Sequence, residues 1–336
     1  LVELAGVFFV SRHKERARVT ITDKIDNITH IPAEYLTAKP PCPKSVKIEL
    51  TGRCNYRCGF CALRMRDEQP KVSEDMGIDF FKKITAQMHE AGVEEIGIFY
   101  LGESLMAPEL AVQAVQWLKW DLGMPYVFLT TNGSLAGERV IHALMNAGLD
   151  SLKFSINASD DEQFEEVMGV KPKLYEQALV NLRRTKEIRD RCKYKTRLYA
   201  SSIKYDGDQQ ERMETLVKER VEPFVDEHYW LPLYSMGSVA TEREAELGYK
   251  PTAGNQGRIG GLVSPLPCWS AFTEGHVRAD GVVSLCCFDA DGRFQVGNLH
   301  DDDWMTVWNN EQFTGIREAH LKKDLSGTVC EECVAY

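Results

Sequence analysis

Between residues 46 and 231 the chain alternates short apolar runs of β type with longer stretches in which apolar residues recur every three or four positions. The short runs predict six strands, at 46–50, 96–100, 126–131, 151–156, 197–203 and 224–231. The stretches between them predict helices. Phe80, Ile84 and Met88 fall on one helical face, as do Leu110, Ala114 and Leu118, and then Val140, Leu144 and Ala147. Gly92 and Gly148 stand just past two of these helices, where a left-handed residue ends the helix and the next strand follows. Repeated βα units place strands in parallel with right-handed crossovers, in either an open doubly wound sheet or a full or partial barrel. Periodicity does not choose between these. Polar or glycine-bearing residues follow several strand ends (Gly102-Glu103, Asn132-Gly133, Asn157), so the C-terminal strand ends are the expected site face.

Past Leu231 the pattern changes. Residues 234–267 are rich in Gly, Ser and Pro with little periodicity and read as a connector that covers the site. The remainder carries short strands around Gly281 and an amphipathic stretch over 304–316. At 336 residues with 43% hydrophobic content, the chain can build one large core or a main domain with an appendage. A net charge of −10 gives no global field for a phosphate backbone, so nucleic acid is not an expected partner. No apolar run approaches the roughly 18 residues of a membrane-spanning helix, so a soluble, cytoplasmic protein is expected, with no membrane partner.

Composition adds one further feature, ten cysteines that fall into two separated groups. Cys54, Cys58 and Cys61 follow the first strand; Cys268, Cys286, Cys287, Cys330 and Cys333 lie near the other end, with Cys42 and Cys192 left over. Clustered cysteines of this kind read as metal ligands rather than disulfide staples. The first group has CxxxCxxC spacing. A 4Fe-4S cube has four iron corners and normally takes four cysteines, so three would leave one iron open to an outside ligand. A zinc site or scattered buried thiols are the alternatives.

This triplet, with the aromatic Phe60 just before its third cysteine, resembles the radical S-adenosylmethionine (radical SAM) superfamily. The resemblance implies an α/β fold, a partial (β/α)6 TIM-like barrel over 46–233, after an N-terminal extension, 1–45. It also implies that S-adenosylmethionine chelates the open iron and is split to a 5′-deoxyadenosyl radical. Tyr100-Leu101-Gly102-Glu103-Ser104 is similar to the family's GGE motif, with Leu101 in place of the first glycine, and assigns Gly102 and Glu103 to the cofactor's amino group. Asn132, Ser155 and Asn157 resemble the polar positions that approach its ribose and carboxylate.

In the second group Gly281 follows Cys268 after twelve residues, Cys286 follows after four more, and Cys330 and Cys333 form a CxxC pair. This spacing resembles the twitch and SPASM extensions of radical enzymes and implies a small C-terminal α+β domain, 268–336, holding a second 4Fe-4S cluster on Cys268, Cys286, Cys330 and Cys333. A structural zinc knuckle on the same four cysteines is the alternative. The domain plan resembles twitch dehydrogenases that oxidise a sugar or aminocyclitol. The partners so implied are S-adenosylmethionine, a small-molecule substrate or a peptide, and a reductant such as flavodoxin or ferredoxin. Peptide maturation, epimerisation and plain electron carriage are the competing functions. An epimerase needs a thiol near its substrate, and Cys192 and Cys287 are the candidates. Arg197 and Tyr199 on the fifth strand, and His228 and Tyr229 on the sixth, are the candidate catalytic residues expected to face the barrel interior.

Overall fold

A computed structural model describes residues 19–61, 63, 75–235, 252–289 and 292–333. The start of the N-terminal extension and residues 236–251 of the connector lie outside the described residues.

The chain enters through α1 (Ile21–Thr29), whose N-terminus is closed by a reciprocal capping box between Thr20 and Asp23. Strand β1 (Ser45–Ile48) is then followed by α2 (Ile78–Ala91), β2 (Glu95–Gly97), α3 (Pro108–Gln116), β3 (Tyr126–Thr131), α4 (Glu138–Asn146) and β4 (Ser151–Ser155). Next come α5 (Asp161–Met168), α6 (Lys173–Cys192), β5 (Arg197–Ile203), α7 (Gly207–Leu216) and β6 (Glu227–Leu231). All six strands are parallel and pair in chain order, the arrangement of a partial TIM-like barrel. The apolar helical faces turn onto the sheet with two of the three expected residues in each fully buried, while the first of each, Phe80, Leu110 and Val140, yields to its neighbour Phe81, Ala111 or Ile141. On α2 the buried residues are Phe81, Ile84, Thr85 and Met88, while Phe80 is only partly buried and stacks on His300 at 4.0 Å.

The C-terminal residues continue the same sheet. Strand β7 (Glu274–Val277) pairs in parallel with β1, and β8 (Val282–Ser284) and β9 (Gln295–Asn298) follow as antiparallel neighbours. The strand order is therefore β6-β5-β4-β3-β2-β1-β7-β8-β9. The β7–β8 turn runs through Gly281 at φ +81°, where a Cβ would meet His300, Phe80 and Asn298 at 2.8–3.0 Å. Helices α8 (Trp304–Trp308) and α9 (Glu311–Lys322) close this end, burying Trp304, Trp308 and Phe313.

Helix α1 lies across the N-terminal ends of the barrel strands. Its first turn donates to Glu227 of β6 (Ile21 N 2.9 Å, Thr22 Oγ1 2.6 Å), and Lys24 pairs with Glu95 of β2 at 2.6 Å. The connector is pinned to this helix and to the edge strand: Arg258 pairs with Asp26 of α1 at 2.6 Å, and the Ile259 amide donates to Trp230 near the C-terminal end of β6. What the sequence presents as an extension is thus the floor of the barrel. Among the described residues no helix is long and apolar enough to cross a membrane.

Candidate functional site

The first cysteine group sits in the irregular loop after β1, and the loop is held from three sides. Arg57 and Gly59 donate their amides to Met168 and Val167 at the end of α5 (3.0 and 2.8 Å). Asn55 exchanges hydrogen bonds with Ser134 and Asn132, both 2.8 Å, and the Glu103 amide donates to Arg53 at 2.8 Å. All three thiols are half-buried. Burial pushes Cys54 up to about 12, so its bare thiolate is disfavoured and a metal cation is the natural replacement for its proton. Cys58 Sγ lies 3.4 Å from Met168 Sδ.

The wall beside this loop explains the Gly-Glu pair after β2. A Cβ on Gly102 would stand 2.0 Å from the Thr51 carbonyl oxygen, so only glycine lets this strand end pass under the cysteine loop. Glu103 is buried and accepts from Thr131 Oγ1 (2.9 Å) and from the amides of Asn132 (2.8 Å) and Leu105 (3.1 Å). Burial raises its pKa, and these three donors are all neutral, which suits the carboxylate to an ammonium group. The side chains of Asn132 and Asn157 are occupied locally: Asn132 braces Asn55, and Asn157 Oδ1 accepts from the Ile203 amide at 3.1 Å. Ser155 is half-buried at the end of β4, and Phe60 packs partly against the core.

At the other end Cys268, Cys286, Cys330 and Cys333 line one cavity together with His320 and Phe294. Burial raises the pKa of Cys268 strongly and that of Cys330 to about 12; Cys286 is raised chiefly by its sulfur hydrogen bond with Cys287. Four half-buried thiols sharing one cavity suit a cationic centre that replaces their protons. Burial lowers His320 to about 4, so it stands neutral in the wall; its position on a helix face carried no sequence signal. Among the described residues no three His, Cys, Asp or Glu side chains converge at single-ion spacing. Two buried contacts tie the cysteine groups together. Tyr100 donates to the Cys286 carbonyl at 2.6 Å, and Glu49 accepts from both Gly102 (3.1 Å) and Ala279 (3.3 Å).

A family model described as "Radical SAM superfamily" matches residues 48–198, and one described as "Iron-sulfur cluster-binding domain" (SPASM) matches 268–334. The chain belongs to the radical SAM superfamily. Its cofactors are two 4Fe-4S clusters and S-adenosylmethionine. A GTP 3′,8-cyclase of Chlorobaculum tepidum is 32% identical over 122 residues, 36% of this chain and 35% of the relative. An S-adenosylmethionine-dependent nucleotide dehydratase of Oncorhynchus mykiss is 31% identical over 122 residues, 36% of this chain and 33% of that protein. The chain thus spans about a third of the length of these curated relatives. Among solved structures, SuiB of Streptococcus suis bound to its precursor peptide SuiA superposes with a TM-score of 0.61 at 15% identity, over 82% of this chain and 66% of that one. BtrN with AdoMet and 2-DOIA gives 0.52 at 15% identity, over 83% of this chain and 87% of that one. At such identity the likeness is one of fold.

In this radical SAM chain the barrel encloses a cavity of about 250 Å³. Tyr199 and Tyr229 line it; Arg197 and His228 do not. Arg197 opens β5 at the floor end, 3.6 Å from Asp226. His228 alternates to the other face of β6, where Nε2 lies 3.0 Å from Ser202 Oγ and burial lowers the ring to about 4. The expectation that these two face the interior is corrected accordingly. Cavity residues the sequence reading missed are Lys47 on β1, Lys153 on β4 and Glu274 on β7. A signal for the lysines existed: each interrupts an apolar parallel strand, Val46-Lys47-Ile48 and Leu152-Lys153-Phe154, where both faces are ordinarily buried.

Proposed function

We propose that this protein is a radical SAM enzyme that removes hydrogen from a polar small molecule in the barrel cavity and passes one electron to the second cluster, a net oxidation. The observation that carries this reading is the placement of two consecutive cysteines. Cys286 lines the four-cysteine cavity, whereas Cys287 lines the barrel cavity, and Asn255 and Phe288 border both. A molecule in the barrel is therefore one residue's thickness from the second group.

We assign Cys54, Cys58 and Cys61 to the first cluster and Cys268, Cys286, Cys330 and Cys333 to the second, within a barrel over 46–233 and a cluster domain over 268–336. S-adenosylmethionine, bound at the open iron, supplies a hydrogen-abstracting radical. Glu103 holds its ammonium group, Gly102 keeps that carboxylate against the cysteine loop, and Phe60, Asn132, Ser155 and Asn157 border the cofactor. Helix α1 and the connector exclude water from below. Tyr199 and Tyr229 remain as substrate contacts. A flavodoxin or ferredoxin in the reducing cytoplasm is the fitting electron donor. Two curated relatives carry nucleotide chemistry in their names, but their matches span little over a third of this chain and do not carry a substrate.

One observation favours epimerisation as a second reading: the Cys287 thiol lines the barrel cavity, 3.6 Å from Asn255 Nδ2, and is placed to return a hydrogen atom. Cys192 is no candidate for this, since it ends α6 beside His142 at 3.4 Å, outside the cavity. Isotopes separate the two. Oxidation moves substrate deuterium into 5′-deoxyadenosine and consumes one cofactor per product, and Cys268→Ala should spare that transfer while suppressing the oxidised product. A solvent deuteron at an inverted carbon, with no two-electron change in mass, would refute oxidation.

A further inference from the structure

Lys153 stands at the middle of β4 with its side chain on the barrel cavity. Among the described residues it makes neither a hydrogen bond nor an ion pair; Nζ lies 5.7 Å from the centre of the Tyr229 ring. The other cationic residues of the cavity wall are each matched. Lys24 pairs with Glu95 (2.6 Å), Lys47 with Glu274 (2.8 Å) and Arg258 with Asp26 (2.6 Å). Glu274 Oε2 is shared between Lys47 and His276, the latter at 2.8 Å, and the carboxylate makes no ion pair with Lys153. The enclosed wall therefore carries one ammonium more than it carries carboxylates. A desolvated charge without a partner is costly, and a ligand that brings the partner recovers that cost on binding.

We propose that the cavity takes a substrate bearing an acidic group, a carboxylate or a phosphate, and that Lys153 is the residue that pairs with it. The inference rests on the reading of the barrel cavity as the substrate site. It narrows that reading, because an amine substrate such as an aminocyclitol would bring a second unmatched cation beside Lys153.

Enclosure, and then the neighbouring Lys47 ammonium, lower Lys153 to about 7, so near neutral pH the empty cavity holds it partly as the neutral amine. An anion restores the charged form. Its binding at about pH 8 must therefore take up a proton. The other charged groups facing this space, Lys24, Lys47, Glu95, Glu274 and Arg258, are already paired, and burial keeps the lining Tyr126, Tyr199, Tyr229 and Tyr234 neutral; the Cys287 thiol also faces it, and loss of proton uptake in Lys153→Met assigns the proton to the lysine.

The test uses the two-cluster holoprotein and four probes on one three-carbon frame: glycerol 3-phosphate, glycerate, glycerol and serinol. Calorimetry at about pH 8 in two buffers of different ionisation enthalpy reads affinity and proton uptake together. At least one of the two acids should bind about tenfold or more tightly than glycerol, with proton uptake, and the better of them identifies the acidic group. Lys153→Arg should keep the preference for the acid, whereas Lys153→Met, checked for iron content and melting, should lose both preference and proton uptake. Equal affinities, serinol as the tightest probe, no acid binding up to about 10 mM, or a preference that survives in Lys153→Met would each overturn the proposal. Cofactor cleavage by the wild-type protein is measured alongside. Its absence would sink the radical reading itself, whereas cleavage without acid preference sinks only this inference.

Discussion

Replacing Gly102 with Ala should damage the cysteine loop from beneath. The new methyl would lie 2.0 Å from the Thr51 carbonyl oxygen and 2.9 Å from that of Arg53, and both obstacles are backbone. Carbon and oxygen need roughly another ångström, so one of the two segments must move. Movement strains two bonds that join them, Gly102 N to Glu49 (3.1 Å) and Glu103 N to Arg53 (2.8 Å). Overpacking of this kind costs about 1–3 kcal/mol, and weakening a neutral and a charge-assisted hydrogen bond adds about 2 kcal/mol, for a total of about 3–5 kcal/mol. For a chain of this size that corresponds to a melting temperature roughly 4–7 °C lower. Because Arg53 adjoins Cys54, the first cluster should also load poorly while the second stays intact, so iron falls from about eight toward about four per chain after anaerobic reconstitution. Calorimetric melting and iron analysis are the assays. A Gly102→Ala protein with full iron and a melting temperature within about 2 °C of wild type would show that the strand end does not need glycine.

Glu103→Gln should lower S-adenosylmethionine affinity about tenfold or more at unchanged iron content, since the carboxylate is assigned to the ammonium group and not to iron. Unchanged affinity by equilibrium dialysis would remove Glu103 from that role. Burial alone would raise Glu274, but the Lys47 ammonium and the His276 hydrogen bond hold its carboxyl down to about 2. A depressed acid stabilises the fold above its unfolded value near 4.5 and loses that contribution as pH falls toward 2, here about 3 kcal/mol. Glu274→Gln should cost about 3–5 kcal/mol at neutral pH by stranding Lys47, and its denaturant stability should lack that part of the acid loss. A variant with the wild-type acid profile would place the titration elsewhere.

Much of the architecture was legible in the chain because its signals are local. Strands β3 and β5 appear at the residues their apolar runs predict, since a parallel strand buried on both faces must be a short continuous apolar run. The same property hid the interior. When both faces of a strand are buried, hydrophobicity cannot say which faces the cavity, and so His228 and Tyr229, adjacent in sequence, were expected together and lie on opposite sides. The cysteines announce themselves through spacing, because ligands on one loop are fixed by a few bonds. That Cys268 and Cys286 share a cavity with Cys330 and Cys333 depends instead on β7 joining β1, a ladder between residues more than two hundred apart that no periodicity encodes. The role of α1 as a floor and the charge excess at Lys153 were likewise decided by the tertiary structure. Sequence sets which residues are buried and in what rhythm, but only the closed sheet sets which buried charges meet a partner and which is left for a ligand.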